Sequence, residues 1–277
     1  MKYTPKEITE EVNVTKVHPL VNLASLLGTT IVVSAAIYLG LGFVAGQLAT
    51  RMDPETEIKI GQSLFPTGIS HREHSQQLEY VEGLLGSLQQ EMGATRIPLT
   101  VHLWENEQLN AAIFPGGNIV VTTGLLEAVE TENELAFVLA HELGHFAARD
   151  TLKALGRSLV FVFVSTAIDS QGGASGVVST TGQLTNLHYS RTQESAADLY
   201  ALEAIIRRYQ HGGYSLDFFA RIKAKDTKGK LSEYFSTHPI TQDRIDELKT
   251  IAAARGWSMT GVASPIPETV TSSDHLP

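Results

Sequence analysis

The sequence predicts an α+β fold that is mainly helical, with a small sheet and a transmembrane helix ahead of it. Three patterns support this prediction. Residues 17–50 carry no charged side chain, and this run exceeds the roughly 20 apolar residues that span a bilayer. Apolar residues recur at helical spacing over 71–92, 131–150 and 190–210. Between residues 99 and 121, short apolar and alternating runs around a Pro-Gly-Gly turn indicate strands.

The composition limits the classes of function. A chain of 277 residues with 43% hydrophobic content can bury one sizeable core. The formal net charge of −9 argues against a nucleic-acid partner. The chain has no cysteine, so any zinc ion must be held by histidines and carboxylates.

The chain is expected to divide into five parts. A polar segment, 1–16, precedes the anchor at 17–50, and a polar linker with proline and glycine covers 51–69. The folded domain is expected over 70–256. Residues 257–277 contain three prolines and several hydroxyl side chains without periodicity, which predicts a flexible tail.

The apolar run is interpreted as an uncleaved anchor in the lipid bilayer. A buried core helix would carry polar positions over so many turns, and a signal peptide would have a shorter apolar part with a small-x-small site. Three lysines precede the run, whereas Arg51 and Lys59 follow it. By the positive-inside rule this places the domain of a single-pass membrane protein on the extracytoplasmic side. Gly42 and Gly46 form a G-x-x-x-G pair through which two anchors could pack into an oligomer.

The stretch 131–150 is expected to form the helix that carries the chemistry. Thr131 and Glu134 have the spacing of a capping box, in which each side chain satisfies a backbone N–H at the helix start. An apolar face follows, consisting of Leu135, Val138, Leu139, Leu143 and Phe146.

His141, Glu142 and His145 form an H-E-x-x-H motif on this helix. Residues four apart project to the same side, so the two imidazoles can bind one metal ion and the glutamate can reach a water on it. Gly144 removes a side chain beside the second histidine, which leaves room for another group to approach. The motif predicts a zinc hydrolase that needs a third ligand.

The third ligand is sought on the helix predicted at 190–210. Glu194 and Asp198 stand four residues apart on one face, with Ser190 or Thr192 as the helix cap. Glu194 can complete a His, His, Glu zinc set, and Asp198 can accept the free ring N–H of a ligand histidine. The alternative is that both carboxylates belong to a solvated helix face.

Asn110, Ala111 and Ala112 begin the strands that precede the metal helix. A peptide substrate can bind as an added strand on an exposed sheet edge, and the small alanines would leave such an edge open. These three residues are therefore candidates for substrate binding. An ordinary hairpin that packs its isoleucine and valine residues explains the same pattern.

A second apolar stretch, 159–168, lies within the segment 155–187 and is too short for a helical span. It is interpreted as a helix that packs over the site as a lid or contacts the membrane surface. Core packing is the alternative.

Together these motifs resemble peptidase family M48, the group of heat-shock and CAAX-processing membrane metalloproteases. The resemblance rests on HELGH at 141–145, ESAAD at 194–198 and STHP at 236–239, and it extends over roughly 55–255. It implies a gluzincin-like metallopeptidase domain. The CAAX-processing members have many more spans than the one clear anchor of this chain, which disfavours prenyl-protein processing.

The resemblance also implies roles for the site residues. Three residues would bind one Zn²⁺ ion per subunit: His141, His145 and Glu194. Glu142 would act as the general base. His238 would lie near the metal as a donor to the tetrahedral intermediate, although a histidine before a proline at a helix start also suits local packing. Arg244 would orient this group or form a salt bridge.

Two functions from different classes are considered. The first is a membrane-anchored zinc endopeptidase that acts on misfolded or membrane proteins in protein quality control. The second is a zinc-bound membrane chaperone or assembly factor whose protease site is largely occluded. The intact Glu142 favours the first function, because a pure binding role does not need a base.

Overall fold

The computed structural model describes residues 18–65, 75–93, 95–157, 189–225, 237–239 and 241–271. Over these residues the fold is mainly helical with one small sheet, which confirms the predicted fold class. The polar segment expected at 1–16 and nearly all of the lid segment expected at 155–187 lie outside the described residues.

The helices, in chain order, are α1 (Pro19–Arg51), α2 (Pro54–Leu64), α3 (Gln76–Met92), α4 (Thr123–Ala128), α5 (Glu132–Ala147), α6 (residues 150–157), α7 (Arg191–Tyr209), α8 (Asp217–Lys225), α9 (Gln242–Ala254) and α10 (Glu268–Thr271). The strands are β1 (Thr100–Trp104), β2 (Ala111–Phe114) and β3 (Asn118–Thr122). A 3₁₀ turn, Pro115–Gly117, joins β2 to β3.

The strands lie in the order β1-β3-β2, with β1 parallel and β2 antiparallel to β3. As far as the chain is described, β2 is therefore an edge strand, and it lies against α5. The Thr122 N–H donates to the Asn110 carbonyl at 3.0 Å. Hydrogen bonds between antiparallel strands involve every second residue. The main-chain groups of Asn110 and Ala112 therefore point toward β3, whereas those of Ala111 and Ile113 point toward the open edge.

Helix α5 runs through the centre of the domain and is buried on every face over residues 133–146. The predicted apolar face is only part of this burial, because α3, α7 and β2 all pack around the helix. Thr131 caps it as predicted, since its Oγ1 accepts the Glu134 N–H at 3.3 Å. The reciprocal half of the capping box is wrong. The Glu134 carboxylate accepts the Glu130 N–H, one residue before the cap, at 2.7 Å instead of the Thr131 N–H, and Arg221 holds it there in two hydrogen bonds of 2.7 and 2.8 Å.

Most of the linker expected at 51–69 is helix α2. Asp53 caps it, because its Oδ1 accepts the Thr56 N–H at 2.9 Å. Pro54 occupies the first turn, where its fixed φ and missing N–H suit a helix start. The linker prediction is wrong for residues 54–64, whereas the breakers on which it rested, Pro66 and Gly68, lie outside the described residues.

Helix α1 is the one helix, among the residues described, that is long and apolar enough to cross a membrane. Large apolar side chains along it, from Leu20 to Leu48, are exposed. Near its C-terminal end Ala49 is buried against the domain, at 4% exposure. Helix α1 therefore leads directly into the folded domain.

Residues 257–271 pack against the domain, so the flexible tail expected from residue 257 is wrong for this part. The Ser264 carbonyl accepts the Glu132 N–H at 3.0 Å, and the Ser264 N–H donates to Asn133 Oδ1 at 2.8 Å. Val270 in α10 is only 1% exposed. The segment lacks periodicity because individual hydrogen bonds and one buried valine, rather than an apolar face, hold it in place.

We expect Val270→Ala to lower the free energy of unfolding by about 2 kcal/mol, since it removes two buried methyl groups and leaves a cavity. The matched control is Val262→Ala in the same segment, at a valine that is 81% exposed, and it should change stability by less than about 0.5 kcal/mol. Denaturant unfolding of the full chain in detergent measures both values. Equal effects of the two substitutions would contradict docking of this segment.

Candidate metal centre

The site forms where α5 and α7 approach each other very closely. A Cβ atom added at Gly144 would lie 2.9 Å from the Ala197 Cα, so the two helices can meet only because this position is a glycine. The group that Gly144 admits is thus helix α7. The close approach places Glu194 and Asp198 of α7 opposite the histidines of α5, as the sequence predicts.

Four side chains converge in this contact. The Nε2 atoms of His141 and His145 are 3.1 Å apart. The Glu194 carboxylate lies 3.5 Å from His141 Nε2 and 3.3 Å from His145 Nε2. His238 approaches through Nδ1, which is 3.3 Å from His141 Nε2 and 3.1 Å from Glu194 Oε1. All four residues are at most 3% exposed, and their nearest donor atoms lie within 4.8 Å of one another.

These distances fit a zinc ion. Zinc–nitrogen bonds of 2.0–2.1 Å in a tetrahedron separate neighbouring ligand atoms by about 3.3–3.4 Å. The five contacts given above between donor atoms range from 3.1 to 3.5 Å. Imidazole nitrogens with one carboxylate are also a donor set that zinc prefers when cysteine is absent. The residues present therefore suit a metal ion, with His238 at the fourth corner.

The Nδ1 atom of each α5 histidine, which faces away from the cluster, lies near a carboxylate. Asp198 Oδ1 lies 3.0 Å from His141 Nδ1, and Asp150 Oδ2 lies 3.3 Å from His145 Nδ1. Such a carboxylate fixes the tautomer and the orientation of a ligand histidine. Arg244 in turn holds Asp198, through Nε and Nη2, in two hydrogen bonds of 2.7 Å.

Sequence reasoning missed Asp150. It lies five residues after His145 and beyond the end of α5, where helical spacing no longer predicts direction. Arg149 has a positive φ of 57°, and α6 begins at the next residue, with the Asp150 carboxylate directed at His145. The one available signal was an acidic residue just past an H-E-x-x-H helix.

Sequence reasoning also missed Tyr189. Its ring stacks on His145, with centroids 4.0 Å apart and planes 16° apart, and lies at 27° to the His238 ring with centroids 5.4 Å apart. Burial raises the pKa of this phenol well above its ordinary value. The ring is therefore a neutral apolar wall that restrains two of the imidazoles.

The electrostatics of the cluster favour a cation. Burial would lower the pKa of His141, but the carboxylates of Asp198 and Glu194 outweigh it and raise that pKa to about 10. Burial would also raise the pKa of Glu194, but hydrogen bonds from His141, His145 and His238 hold it far below its ordinary value. Positive charge is thus stabilised here, and a divalent ion would displace the ring protons on binding.

Glu142 faces the sheet edge. It is 1% exposed, and its Oε2 accepts the Ile113 N–H at 3.1 Å. Its Oε1 lies 3.4 Å from His238 Nε2. Of the three residues predicted to bind substrate, Asn110 and Ala112 pair with β3, and Ala111 shares the open edge with Ile113. The main-chain contact with Glu142 comes from Ile113, one residue beyond the predicted set.

A mainly helical domain in which an H-E-x-x-H helix meets a glutamate on a second helix beside a small sheet defines a gluzincin-like metallopeptidase. The model of peptidase family M48 matches residues 75–252. Because this match covers more than half of the chain, the protein belongs to peptidase family M48 and is a metallopeptidase.

Curated relatives agree with this assignment. The beta-barrel assembly-enhancing protease of Yersinia pestis is 27% identical over 188 residues, which cover 63% of this chain and 38% of the relative. Metalloprotease LoiP of Escherichia coli is 28% identical over 165 residues, 57% of this chain and 65% of LoiP. The mitochondrial metalloendopeptidase OMA1 of Bos taurus is 30% identical over 171 residues, 56% of this chain and 33% of OMA1. The chain spans less than two thirds of the length of these relatives.

We expect Asp150→Asn to lower zinc affinity by about 10- to 100-fold, because the amide no longer accepts the His145 ring N–H as a charged partner. Competition with a fluorescent zinc chelator measures the affinity. The control is Asp246→Asn on the exposed face of α9, which should leave it unchanged. Unaltered zinc affinity in Asp150→Asn would refute the orienting role.

Proposed function

We propose that this metallopeptidase is a membrane-anchored zinc-dependent endopeptidase that hydrolyses misfolded or membrane proteins in protein quality control. The observation that carries the proposal is the buried cluster of His141, His145 and Glu194 with the Glu142 carboxylate beside it. A site that only bound a metal ion would not need the Glu142 carboxylate. The names of the relatives, a beta-barrel assembly-enhancing protease and a mitochondrial metalloendopeptidase among them, are consistent with work on polypeptides near membranes.

Glu142 carries the proton in the proposed reaction. A zinc ion held by His141, His145 and Glu194 supplies Lewis acidity toward water and the scissile carbonyl. Glu142 takes the proton as the water attacks and passes it to the leaving amine. Its burial keeps bulk water away from this transfer. The Ile113 N–H orients its carboxylate at 3.1 Å.

The open edge of β2 provides a template for the substrate. Ala111 directs both of its main-chain groups outward and Ile113 directs its carbonyl outward, while the Ile113 N–H is held by Glu142. An extended peptide can pair with the remaining groups as an added strand. Asn110 lies at the start of this strand, is 6% exposed, and has an Oδ1 atom without a hydrogen-bond partner among the described residues. Ala112 leaves the strand without a bulky side chain.

The anchor completes the proposal. Helix α1 spans the bilayer, and the charges around it favour the extracytoplasmic side for the domain. Association of two chains through Gly42 and Gly46 is less favoured than the sequence suggests. The Cβ position of Gly42 lies 3.6 Å from the Arg157 side chain of its own domain, whereas that of Gly46 is open.

A second function is favoured by the position of His238. Its Nδ1 stands at the fourth corner of the cluster, where a catalytic water would have to bind. A chain that kept this arrangement would be a zinc-bound chaperone or assembly factor with an occluded protease site.

We expect Glu142→Gln to lower casein hydrolysis by at least about 100-fold with zinc still bound, because the amide cannot accept the proton. The assay uses the full chain in detergent, with zinc and with chelator, and metal content is measured in parallel. Glu91→Gln, at an exposed position on α3, is the matched control and should keep full activity. If Glu142→Gln and wild type hydrolysed casein equally, the protease function would be lost.

We expect His238→Ala to lower hydrolysis by about 100-fold while zinc stays bound by the other ligands, because a donor to the tetrahedral intermediate is lost. The same assay measures it, with initial rates normalised to zinc content. A rise in hydrolysis would instead identify His238 as the occluding group and support the second function.

A further inference from the structure

We propose that Arg149 clamps the end of the anchor to the metal helix, which holds the metal centre at a fixed height above the bilayer and directs it to polypeptide segments close to the membrane. The first part concerns the clamp, and the second names a substrate class. The second part rests on the proposed function.

The clamp is a set of hydrogen bonds from one guanidinium. Arg149 Nη1 donates to the Ala49 carbonyl at 2.6 Å and to the Met52 carbonyl at 2.8 Å. Carbonyls at the end of a helix have no partner within the helix, and the planar fork of arginine can serve several acceptors at once. Arg149, which follows the metal helix, thus supplies hydrogen-bond donors to the carbonyl groups at the C-terminal end of α1.

A buried ion pair fixes the same guanidinium. Arg149 Nη2 lies 3.2 Å from the carboxylate of Glu57 on α2, which is 2% exposed. Burial raises the pKa of Glu57, while the charge of Arg149 opposes that rise. A charge buried to this degree is costly without its partner, so the contact holds α2 as well as α1.

The helices themselves touch beside the clamp. A Cβ added at Gly156 in α6 would lie 2.9 Å from the Ala45 Cβ, so these two helices cross where a side chain is missing. Ala45 and Ala49 are four residues apart and lie on the same face of α1. Other apolar side chains of these turns remain exposed, with Phe43 at 68% on the opposite face and Leu48 at 63% on the flank. The last turns of the anchor therefore contact the domain on one side and suit lipid on the other.

Helix α2 extends the contact to the substrate edge. A Cβ added at Gly61 would fall 2.0 Å from the Pro115 carbonyl oxygen, in the turn that follows β2. Gly116 in this turn has a φ of 82°, which favours glycine, and its Cβ position lies 3.2 Å from the Ile58 Cα. The anchor and α2 thus contact both the end of the metal helix and the hairpin of the substrate edge.

A comparison of the length of α1 with the thickness of the bilayer places the metal centre close to the membrane surface. Helix α1 has 33 residues and is about 50 Å long, whereas the hydrocarbon core is about 30 Å thick. Of the excess of about 20 Å, the ten residues from Gly42 to the end of α1, which run along the domain, account for about 15 Å. Arg149 follows His145 by four residues and lies just past the end of α5. Asp150, which contacts His145, is the next residue.

The clamp is tested by measuring the distance between a spin label on α1 and a spin label on the folded domain. Because the chain lacks cysteine, two introduced cysteines, Leu39→Cys in α1 and Lys249→Cys on α9, are the only residues that a thiol-reactive spin label will modify. In nanodiscs, electron–electron double resonance should give one narrow distance distribution for this labelled full chain. The clamp-free chain carries Arg149→Asn, Glu57→Gln and a Gly/Ser insertion of about ten residues after Met52, and its distribution should widen at least about two-fold.

The substitutions are chosen to preserve the fold. Asparagine tolerates a positive φ but cannot reach α1. Glutamine at position 57 avoids a buried carboxylate without a partner. The matched control replaces an exposed ion pair, Arg255→Asn with Glu203→Gln, whose atoms are 2.8 Å apart. This control should leave the distance distribution narrow.

The substrate class is tested with reporters in the same nanodiscs. Each carries one cleavable peptide at about 0, 15, 30 or 45 Å from its own membrane span on a helical spacer, and an untethered copy is included. With zinc, the wild type should cleave the nearest reporter at least about ten-fold faster than the farthest one. The clamp-free chain should cleave all reporters within about three-fold, and both chains should cleave the untethered peptide within about two-fold of each other.

The outcomes separate the two proposals. A broad distance distribution in the otherwise wild-type chain overturns the clamp, whether or not the enzyme is active. Equal cleavage of near and far reporters, with the untethered peptide cleaved, overturns the membrane-proximal substrate class and leaves the proposed function intact. An uncleaved untethered peptide at full zinc loading refutes the proposed function and with it the substrate class, while the distance distribution still decides the clamp.

Discussion

The close approach of α5 and α7 is the contact on which the site depends. It exists because Gly144 has no side chain where the Ala197 backbone passes. A methyl group there would separate the helices, and Glu194 would no longer reach both histidines at 3.3–3.5 Å. Gly144 therefore serves both the packing and the chemistry, because the close contact of the two helices that it permits also brings the residues of the metal cluster together.

The second constraint is charge. Four carboxylates, those of Glu142, Asp150, Glu194 and Asp198, are buried around three imidazoles. Buried carboxylates are tolerated only with charged or hydrogen-bonding partners. Arg244 and Lys153 supply part of this compensation from outside the cluster. The remaining excess of negative charge explains why the pKa values of His141 and His145 are raised, although burial lowers that of His238, and why a divalent cation suits the centre.

The sequence predicted the parts of the fold that depend on local spacing. The α5 and α7 helices, the hairpin at 111–122 and the grouping of His141, His145 and Glu194 follow from periodicity and from the four-residue spacing of side chains on a helix. Asp198 and Arg244 also lie where the motifs suggested.

The misses lie where position depends on tertiary contacts. Asp150 reaches His145 across a break in the helix at Arg149, and no helical rule extends across that break. Residues 54–64 were expected in a polar linker, but Pro54 follows the Asp53 cap and begins α2. Glu134 accepts the Glu130 N–H and the hydrogen bonds of Arg221, a partner 87 residues away that no local spacing predicts. Tyr189 reaches the metal centre only because α7 packs against α5.

The pairing of Ser264 with the start of α5 has a consequence for synthesis. The Glu132 N–H and the Asn133 side chain obtain their partners from a residue more than 130 positions later. A ribosome that has exposed only the first 250 residues has made every residue of the metal cluster but not the segment around Ser264 that supplies partners to the first turn of its central helix. The centre therefore reaches its final surroundings only after residue 264 has left the ribosome, long after α1 has been synthesised.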